Sequence, residues 1–228
     1  HGFIFWKIMI FKEFKKYNFN NSEVRGIMTS INFSRDNNVE IVLHEETSGR
    51  YEQVRDIEIV KAFPPLVFAT DVDLDFINFQ ESIKQIKKLT LLDGHHRFEH
   101  LTLYNYDYSV PIVLISNKDV KVQSYNSKIN GDKQSFIEFL ISNNFKPSSS
   151  KYFIDIEDCQ YSNTDVNNIY ELYDFKRTLL KSDLITPTPN DRGDIEDLIL
   201  NFTPVQLIEF HKENYLFPPK STWISPRI

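Results

Sequence analysis

Apolar and polar positions along the chain predict an alternation of strands and helices. Residues 39–44 begin with apolar and charged side chains in turn and are rich in β-branched residues, so we expect a strand that ends at Glu45. Between residues 51 and 63 apolar side chains recur at helical spacing, and a pair of prolines then predicts the end of that helix. Residues 66–69 form a short apolar run, which predicts a buried strand.

The next part of the chain predicts a further succession of strand, helix and strand. We expect strands at residues 89–92 and 111–115, with a helix at residues 95–104 between them. Residues 71–87 come before this succession, and their acidic beginning at residues 71–75 predicts a surface excursion, with a metal-binding cluster as the alternative. Together these elements predict a compact α/β unit.

The remaining residues predict a second, mainly helical region. We expect an extended segment at residues 120–125, a helix at 134–142 and a linker at 146–150. Three later segments have helical spacing or helix-capping signals: residues 166–180, 194–200 and 204–214. The predicted fold class is therefore α/β (α+β), with one domain at residues 1–145 and a mainly helical C-terminal lobe at residues 146–228.

Composition narrows the classes of protein to consider. The chain has 228 residues, 41% hydrophobic and 25% charged, as is ordinary for a soluble globular protein. A net charge of −6 argues against a nucleic-acid partner, because affinity for phosphate backbones comes mainly from clustered Lys and Arg. Cys159 is the only cysteine, which excludes an intrachain disulfide and fits a cytoplasmic setting. The apolar residues 3–11, interrupted by Lys7, are too few to span a bilayer, so we expect a strand there and no membrane partner.

The segment Leu91-Leu92-Asp93-Gly94-His95-His96-Arg97-Phe98 has the pattern of a phosphate-binding turn. An apolar strand leads into a glycine, and a helix follows whose first backbone N–H groups suit an anion. Arg97 is able to grip two phosphate oxygens at once, and the Asp93 carboxylate is suited to orienting a hydroxyl or holding Mg²⁺. The turn therefore predicts a phosphate or nucleotide ligand.

Three separated motifs together carry a resemblance to a known superfamily. They are residues 43–46 (Leu-His-Glu-Glu), 93–98 (Asp-Gly-His-His-Arg-Phe) and 219–223 (Pro-Lys-Ser-Thr-Trp). In these motifs the chain resembles the ParB/sulfiredoxin-like superfamily, and within it the free L-serine kinases. The resemblance brackets most of the chain. It implies a nucleotide-binding ParB-like domain followed by a lobe that contributes the last motif.

The resemblance implies a role for each motif. Glu45 matches the catalytic glutamate of the serine kinases, which makes it the general base, and Asp93 assists it or binds Mg²⁺. The remaining matched residues are expected to bind phosphates: Gly94, His95, His96, Arg97, Lys220, Ser221 and Thr222. For Lys220 the alternative is an ordinary surface lysine in a terminal strand.

The implied reaction is phosphorylation of free L-serine to O-phospho-L-serine, with ATP or ADP as the donor and Mg²⁺ as the metal. The product would feed cysteine or a related metabolite. The serine ammonium and carboxylate need an acid and a donor of their own, for which Glu46, Asp93 and Tyr125 are the candidates. We expect L-serine and a nucleotide as the partners of the protein.

Other functions remain open from the same residues. The pattern from His96 to His100 also fits the His-x-x-Glu-His signature of a zinc hydrolase, with Glu171 as a third ligand. A ParB-like nucleotide-binding switch associated with DNA is the non-enzyme alternative. Sulfiredoxin chemistry is disfavoured, because it needs a cysteine where this chain has His95.

Structural roles are open for the individual residues of the turn. Gly94 alone suits an ordinary turn, and His96 suits a core position in which a backbone carbonyl accepts a hydrogen bond from its imidazole. Arg97 alone suits an ion pair with Asp93 or Glu99. These alternatives predict contacts within the protein rather than with a phosphate.

Overall fold

A computed structural model describes most of the chain and divides it into two compact units. The described residues are 16–19, 22–35, 38–47, 62, 64–75, 77–104, 106–190, 198–211 and 214–225. The first unit runs to Lys121 and includes the residues from Ile224 onward, and the second spans Val122–Trp223. The helix predicted between residues 51 and 63 and the strand predicted at residues 3–11 lie outside the described residues, apart from a turn at residue 62.

A six-stranded mixed sheet forms the centre of the first unit. Its strands are β1 (Lys16–Phe19), β2 (Ser22–Ile31), β3 (Glu40–Val42), β4 (Leu66–Thr70), β5 (Lys88–Asp93) and β6 (Val110–Ser116). Their order across the sheet is β1-β2-β6-β4-β5-β3. β5 is parallel to β3 and antiparallel to β4, so the ends of β3 and β5 and the start of β4 meet at one edge. The motifs at residues 43–46 and 93–98 lie at this edge.

Two α-helices among the described residues pack on this sheet, and the core is apolar. They are α1 (Phe79–Gln85) and α2 (His95–Leu103), and a 3-10 helix spans Asn117–Asp119. All five residues of β4 are buried, as expected for a central strand that is covered on both faces. The core combines side chains of the sheet and of both helices: Ile27, Ile31, Leu66, Phe68, Ile83, Leu89, Leu91, Phe98, Leu101, Ile112 and Leu114.

The acidic segment predicted as a surface excursion ends in helix α1. The Asp75 carboxylate accepts hydrogen bonds from the backbone N–H groups of Ile77 (2.9 Å) and Asn78 (3.0 Å), and the Asp75 amide donates to Ser82 Oγ at 2.8 Å. The bonds from Asn78 and Ile77 hold the pKa of the Asp75 carboxyl below its ordinary value. This carboxylate therefore orders the chain that enters α1.

The second unit contains an antiparallel six-stranded sheet. β7 (Lys121–Ser124) leads into it, and its sheet strands are β8 (Ser127–Ile129), β9 (Lys146–Pro147), β10 (Ile154–Ile156), β11 (Cys159–Ser162), β12 (Ile185–Pro187) and β13 (Ile199–Phe202). They follow the order β12-β8-β13-β10-β11-β9. A separate two-stranded sheet pairs β7 with β14 (Thr222–Ser225).

Helices α3 (Lys133–Ser142) and α4 (Ile169–Lys181) belong to the second unit, with a 3-10 helix at Leu207–His211. Asp132 begins α3 by accepting a hydrogen bond from the Ser135 amide at 2.8 Å, and Asn168 begins α4 by accepting one from the Glu171 amide at 2.9 Å. In the described part of the chain, no helix has the length and apolar character needed to cross a bilayer.

Several elements predicted from the sequence are confirmed, with shifts of a few residues at their ends. The strands at 66–69, 89–92 and 111–115 are β4, β5 and β6, and the helix at 95–104 is α2. The helices expected at 134–142 and 166–180 are α3 and α4. The mixed α/β class is therefore confirmed.

The mainly helical C-terminal lobe is not confirmed. Residues 199 and 200, the end of the helix predicted at 194–200, belong to strand β13 (Ile199–Phe202), and a 3-10 helix replaces the α-helix expected at 204–214. The expected linker begins with strand β9, in which Pro147 lies opposite Tyr161. Short apolar runs suit a strand or a helix equally, and pairing with β8 and β10 decides the conformation of β13. Residues 191–197 lie outside the described part of the chain.

Candidate functional site

The first two motifs meet at one edge of the sheet of the first unit. Val42 in β3 lies beside Thr90 in β5, and both strands run in the same direction. Residues 43–46 continue from β3, while Gly94 continues from β5, so the two motifs leave the sheet side by side. β4 starts at this edge as well, because its Val67 lies opposite Asp93.

A contact between two histidines joins these motifs. The rings of His44 and His95 have centroids 4.6 Å apart and are nearly perpendicular at 81°. His44 is 1% exposed and therefore belongs to the interior of the unit. Glu45 follows it directly and is half-buried, as is Glu46. The structure thus brings the residue that precedes the predicted general base into contact with the first residue of α2.

Gly94 allows the direct passage from β5 to α2. Its backbone has φ 99° and ψ 25°, a left-handed conformation that favours glycine, and its carbonyl accepts the Phe98 N–H at 2.8 Å. A Cβ atom here would lie 2.5 Å from Leu66 Cδ2 and 2.9 Å from Arg97 Nη2. Both the conformation and the space therefore require a residue without a side chain.

The beginning of α2 is suited to an anion. In any α-helix the first backbone N–H groups lack an acceptor within the helix, and the dipole favours negative charge there. In this helix those groups belong to His95, His96 and Arg97, and all three residues are half-buried. The two imidazoles add side-chain donors at the same place.

Arg97 is held by the protein itself. Its Nη1 donates to the carbonyl oxygens of Pro64 (2.5 Å) and Pro65 (3.1 Å), and its Nη2 lies 3.1 Å from Asp93 Oδ2. Only 13% of the Arg97 side chain is exposed, against 37% for Asp93. The guanidinium thus ties the turn to the residues before β4. It has more N–H donors than these three bonds use, so binding an anion as well is compatible with them.

His96 and His100 lie one turn apart on α2, as the zinc signature requires. His100 is 2% exposed, and its ring is 4.7 Å from that of Tyr104 and 5.9 Å from that of Tyr106. Among the residues that the structure describes, no group of three or more His, Cys, Asp or Glu side chains is arranged to hold a metal ion. Glu171 lies in α4 of the second unit. The geometry therefore gives the zinc alternative no support.

The third motif belongs to the second unit. Lys220 is exposed and has φ 57°, a left-handed conformation that is uncommon for a residue with a side chain. Ser221 is 0% exposed, and its hydroxyl donates to the Pro218 carbonyl at 2.6 Å. Thr222 is 7% exposed and starts strand β14. The lysine is therefore the most accessible chemical group of this motif.

Tyr125 contacts three residues of the third motif. Its amide donates to the Ser221 carbonyl at 2.9 Å, and its ring centroid lies 5.9 Å from Lys220 Nζ. The ring also makes an edge contact with Trp223 at 5.3 Å. Tyr125 is 6% exposed. Its position favours a role in holding Lys220 over the direct contact with substrate that we expected.

Sequence reasoning missed Lys176. This residue of α4 is 0% exposed, and its Nζ donates to the Lys220 carbonyl at 3.1 Å. Its neighbours on the buried face of α4 are Ile169, Leu172, Tyr173 and Leu179. A lysine among apolar residues at helical spacing is the signal that would have revealed it, because buried lysines need a polar partner.

No protein-family model matches the chain, and no curated protein sequence does. Solved structures do match. SbnI with C-terminal truncation from Staphylococcus aureus superposes with a TM-score of 0.61 at 12% identity, over 88% of this chain and 84% of that one. Free serine kinase in complex with AMP has a TM-score of 0.51 at 16% identity, over 92% of this chain and 91% of that one. A variant of free serine kinase in complex with ADP has a TM-score of 0.52 at 13% identity, over 92% and 91%.

This likeness shows the fold. The neighbours are ParB-like structures, and they cover most of this chain. Sequence identities of 12% to 16% are too low to transfer an activity, because one fold hosts many functions. The function must therefore be argued from the site.

Proposed function

We propose that this protein is a free L-serine kinase, which transfers a phosphoryl group from ATP or ADP to the serine hydroxyl and yields O-phospho-L-serine. The observation that carries the proposal is the contact between His44 and His95, with ring centroids 4.6 Å apart. His44 directly precedes Glu45, and His95 directly follows Gly94 at the N-terminus of α2, so this contact supports a role for Glu45 next to the glycine turn. The ParB-like fold, shared with free serine kinase structures that hold AMP or ADP, supports the same activity.

Phosphoryl transfer to an alcohol needs positioned phosphates, charge neutralisation and a group that accepts the hydroxyl proton. We assign the last role to Glu45. Its carboxylate follows β3 at the edge where the phosphate turn begins, and half-burial lets it meet a small substrate while being held by the protein. The proton passes from the serine hydroxyl to this carboxylate as the new O–P bond forms, while the bond from the transferred phosphorus to the donor oxygen breaks and ADP leaves from ATP, or AMP from ADP.

The phosphates of the nucleotide are assigned to the turn. Gly94 lets the backbone approach closely, and the first amides of α2 with the His95 and His96 imidazoles supply donors. Arg97 adds positive charge next to these groups while it holds the turn in place. In this scheme the arginine contributes both stability of the turn and attraction for the phosphates.

We assign to Lys220 the role of neutralising the negative charge of the transferred phosphoryl group. Its exposure and its position over the Tyr125 ring leave the ammonium accessible, whereas the Ser221 hydroxyl already donates to Pro218. Thr222 is the second hydroxyl of the motif, and we retain it as a phosphate donor. For the ammonium of serine we retain Glu46 and Asp93 as candidate acceptors, and Tyr125 acts through Lys220.

Magnesium fits the chemistry of the turn. Mg²⁺ in kinases is held by one or two carboxylates together with phosphate oxygens and water. Asp93 is a partly exposed carboxylate at the phosphate turn, so it would hold the ion, whose charge would offset that of the phosphates. We place the protein in the cytoplasm, with a product that feeds cysteine or a related metabolite.

A ParB-like nucleotide-binding switch associated with DNA is the second candidate, and the fold likeness is the observation that favours it. A net charge of −6 opposes it, because DNA binding depends on basic surfaces. A gel-shift assay at low salt, with and without nucleotide, separates the two candidates. Retarded DNA would favour the switch.

The test of the proposed function is a product assay. The protein is incubated with ATP or with ADP and each hydroxyl amino acid, and products are identified by mass spectrometry and phosphorus NMR. We expect O-phospho-L-serine, loss of activity with a chelator and recovery with Mg²⁺. Recovery with zinc, together with hydrolysis of a peptide, would instead support the hydrolase. Absence of phosphoserine with both nucleotides would refute the proposal.

A further inference from the structure

Lys176 is buried where an apolar residue would be expected. It lies on the inner face of α4 with none of its surface exposed. Its Nζ lies 5.4 Å from the Tyr173 ring centroid and 5.1 Å from that of Phe202. Aromatic faces attract a cation, which offsets part of the cost of removing the ammonium from water. The ammonium also donates a hydrogen bond to a backbone oxygen.

That oxygen is the carbonyl of Lys220, 3.1 Å from Lys176 Nζ. A charged donor makes a shorter and stronger hydrogen bond to a carbonyl than a neutral donor does. The acceptor belongs to a residue with φ 57°, a backbone conformation that is unfavourable for a residue with a Cβ. Such a conformation persists only where the surroundings enforce it.

The surroundings of Lys220 do enforce it. On the following residue, the Ser221 hydroxyl donates to Pro218 at 2.6 Å and the Ser221 carbonyl accepts the Tyr125 amide at 2.9 Å. With the bond from Lys176, the backbone is held on successive groups while the Lys220 side chain stays exposed. These hydrogen bonds therefore fix the position of the Lys220 backbone, from which the exposed ammonium extends.

We propose that Lys176 is a positioning residue for phosphoryl transfer, which acts through the backbone of Lys220 and does not itself touch the substrate. The inference rests on the proposed function and adds a residue to it. Without the Lys176 ammonium, the Lys220 carbonyl loses a charged donor and the left-handed turn relaxes. The Lys220 ammonium then spends less time where it meets the transferred phosphoryl group, which lowers kcat rather than substrate affinity.

The test is a double-mutant cycle in the full chain with Lys176→Met, Lys220→Met and the double variant. Methionine keeps the volume and removes the donor. We expect Lys176→Met to lower kcat about tenfold or more while KM for serine stays within about twofold. The double variant should be no slower than Lys220→Met alone, because the first residue acts through the second. Lys181→Met, at the exposed end of the same helix, is the matched control and should leave kcat unchanged.

A rescue variant separates positioning from packing. Lys176→Gln retains an N–H donor for the carbonyl without the charge, so it should recover part of the kcat that Lys176→Met loses. If the Lys176 and Lys220 variants lower kcat independently, so that their fold-changes multiply in the double variant, the inference is overturned. A loss confined to KM would also overturn it. Failure of both the Met and the Gln variants to fold would assign Lys176 to stability alone and would equally overturn it.

The outcome for Lys176 is separable from that for the proposed function. If the wild-type protein makes phosphoserine and the cycle is additive, only the inference fails. If the wild-type protein makes none, the proposed function fails, and the same cycle is measured as ADP affinity by calorimetry. A non-additive loss of ADP affinity would then still support positioning of Lys220 by Lys176, and an additive one would overturn it.

Discussion

The turn at residues 93–97 and the segment at residues 218–223 differ in whether the positively charged side chain is buried or exposed. In the turn, Arg97 is only 13% exposed and bonds to two backbone carbonyls and to Asp93. In the segment, Lys220 is exposed, while Ser221 is 0% exposed and bonds to a carbonyl. One motif thus buries its cation, and the other buries its hydroxyl.

This difference teaches that a motif residue of the right chemical type does not always stay accessible to a ligand. In the turn, the backbone amides and the imidazoles are the groups suited to a phosphate, and the arginine maintains their geometry. In the segment, the ammonium is the accessible group, and the serine maintains its geometry. We therefore expect stability and activity to respond to different residues within each motif.

The largest effect is expected for Glu45→Gln. Removing a general base lowers kcat by about 10²- to 10⁴-fold, and an isosteric amide should leave folding and ADP binding intact. The measurement is phosphoserine formation beside calorimetric titration with ADP. Glu40→Gln is the control, because Glu40 is an exposed glutamate in β3, the strand that precedes Glu45. A Glu45→Gln protein that turns over normally would remove this residue as the base.

The next effect distinguishes the two polar residues of the segment. Lys220→Met should lower kcat about 10²-fold with little change in melting temperature, because the ammonium is exposed and, in the proposed mechanism, stabilises the charge that develops on the phosphoryl group. Ser221→Ala should instead reduce the free energy of unfolding by about 1 kcal/mol, because the Pro218 carbonyl loses its donor. Thermal unfolding and kinetics of both variants check this. The reverse pattern would contradict the comparison.

Gly94→Ala should destabilise the turn by more than the cost of its left-handed backbone conformation alone. The left-handed backbone alone costs about 1–2 kcal/mol with a Cβ, and the overlap with Leu66 Cδ2 at 2.5 Å adds to this. Gly131→Ala is a matched control, since Gly131 has φ 88° and no neighbouring atom within 4 Å of a Cβ. We expect only Gly94→Ala to lose ADP affinity as well. Equal losses of stability would show that space at Gly94 is not limiting.

The smallest effect is expected for Arg97. Arg97→Ala should weaken ADP binding about tenfold and lower stability, because both the positive charge and the tie to the residues before β4 disappear. Arg97→Lys keeps the charge but cannot reproduce the fork of bonds. Arg35→Ala is the control, an exposed arginine of the same unit paired with Asp107. Unchanged ADP affinity in Arg97→Ala would remove this residue from the phosphate site.

Local patterns accounted for much of the fold. The continuous apolar run of β4 and the helical spacing of α3 and α4 are properties of short segments, so their elements were predicted with small errors at the ends. The first two residues of β13 were predicted as the end of a helix, because four residues of alternating burial are too short a signal and pairing with β8 and β10 decided the outcome. The glycine turn was also visible locally, since a strand, a glycine and a helix follow directly on one another.

The sequence by itself determined where the chemistry-bearing residues lie along the chain and which local conformations they favour, because Gly94, the apolar strand before it and the helix after it act over a few residues. Tertiary structure alone decided what those residues touch. The parallel pairing of β3 with β5 brings His44 to His95, and the antiparallel β4 brings the Pro64 carbonyl to Arg97. The bond from Lys176 to Lys220 likewise joins residues 44 positions apart. Such contacts depend on strand order and burial, which no short segment of the sequence specifies.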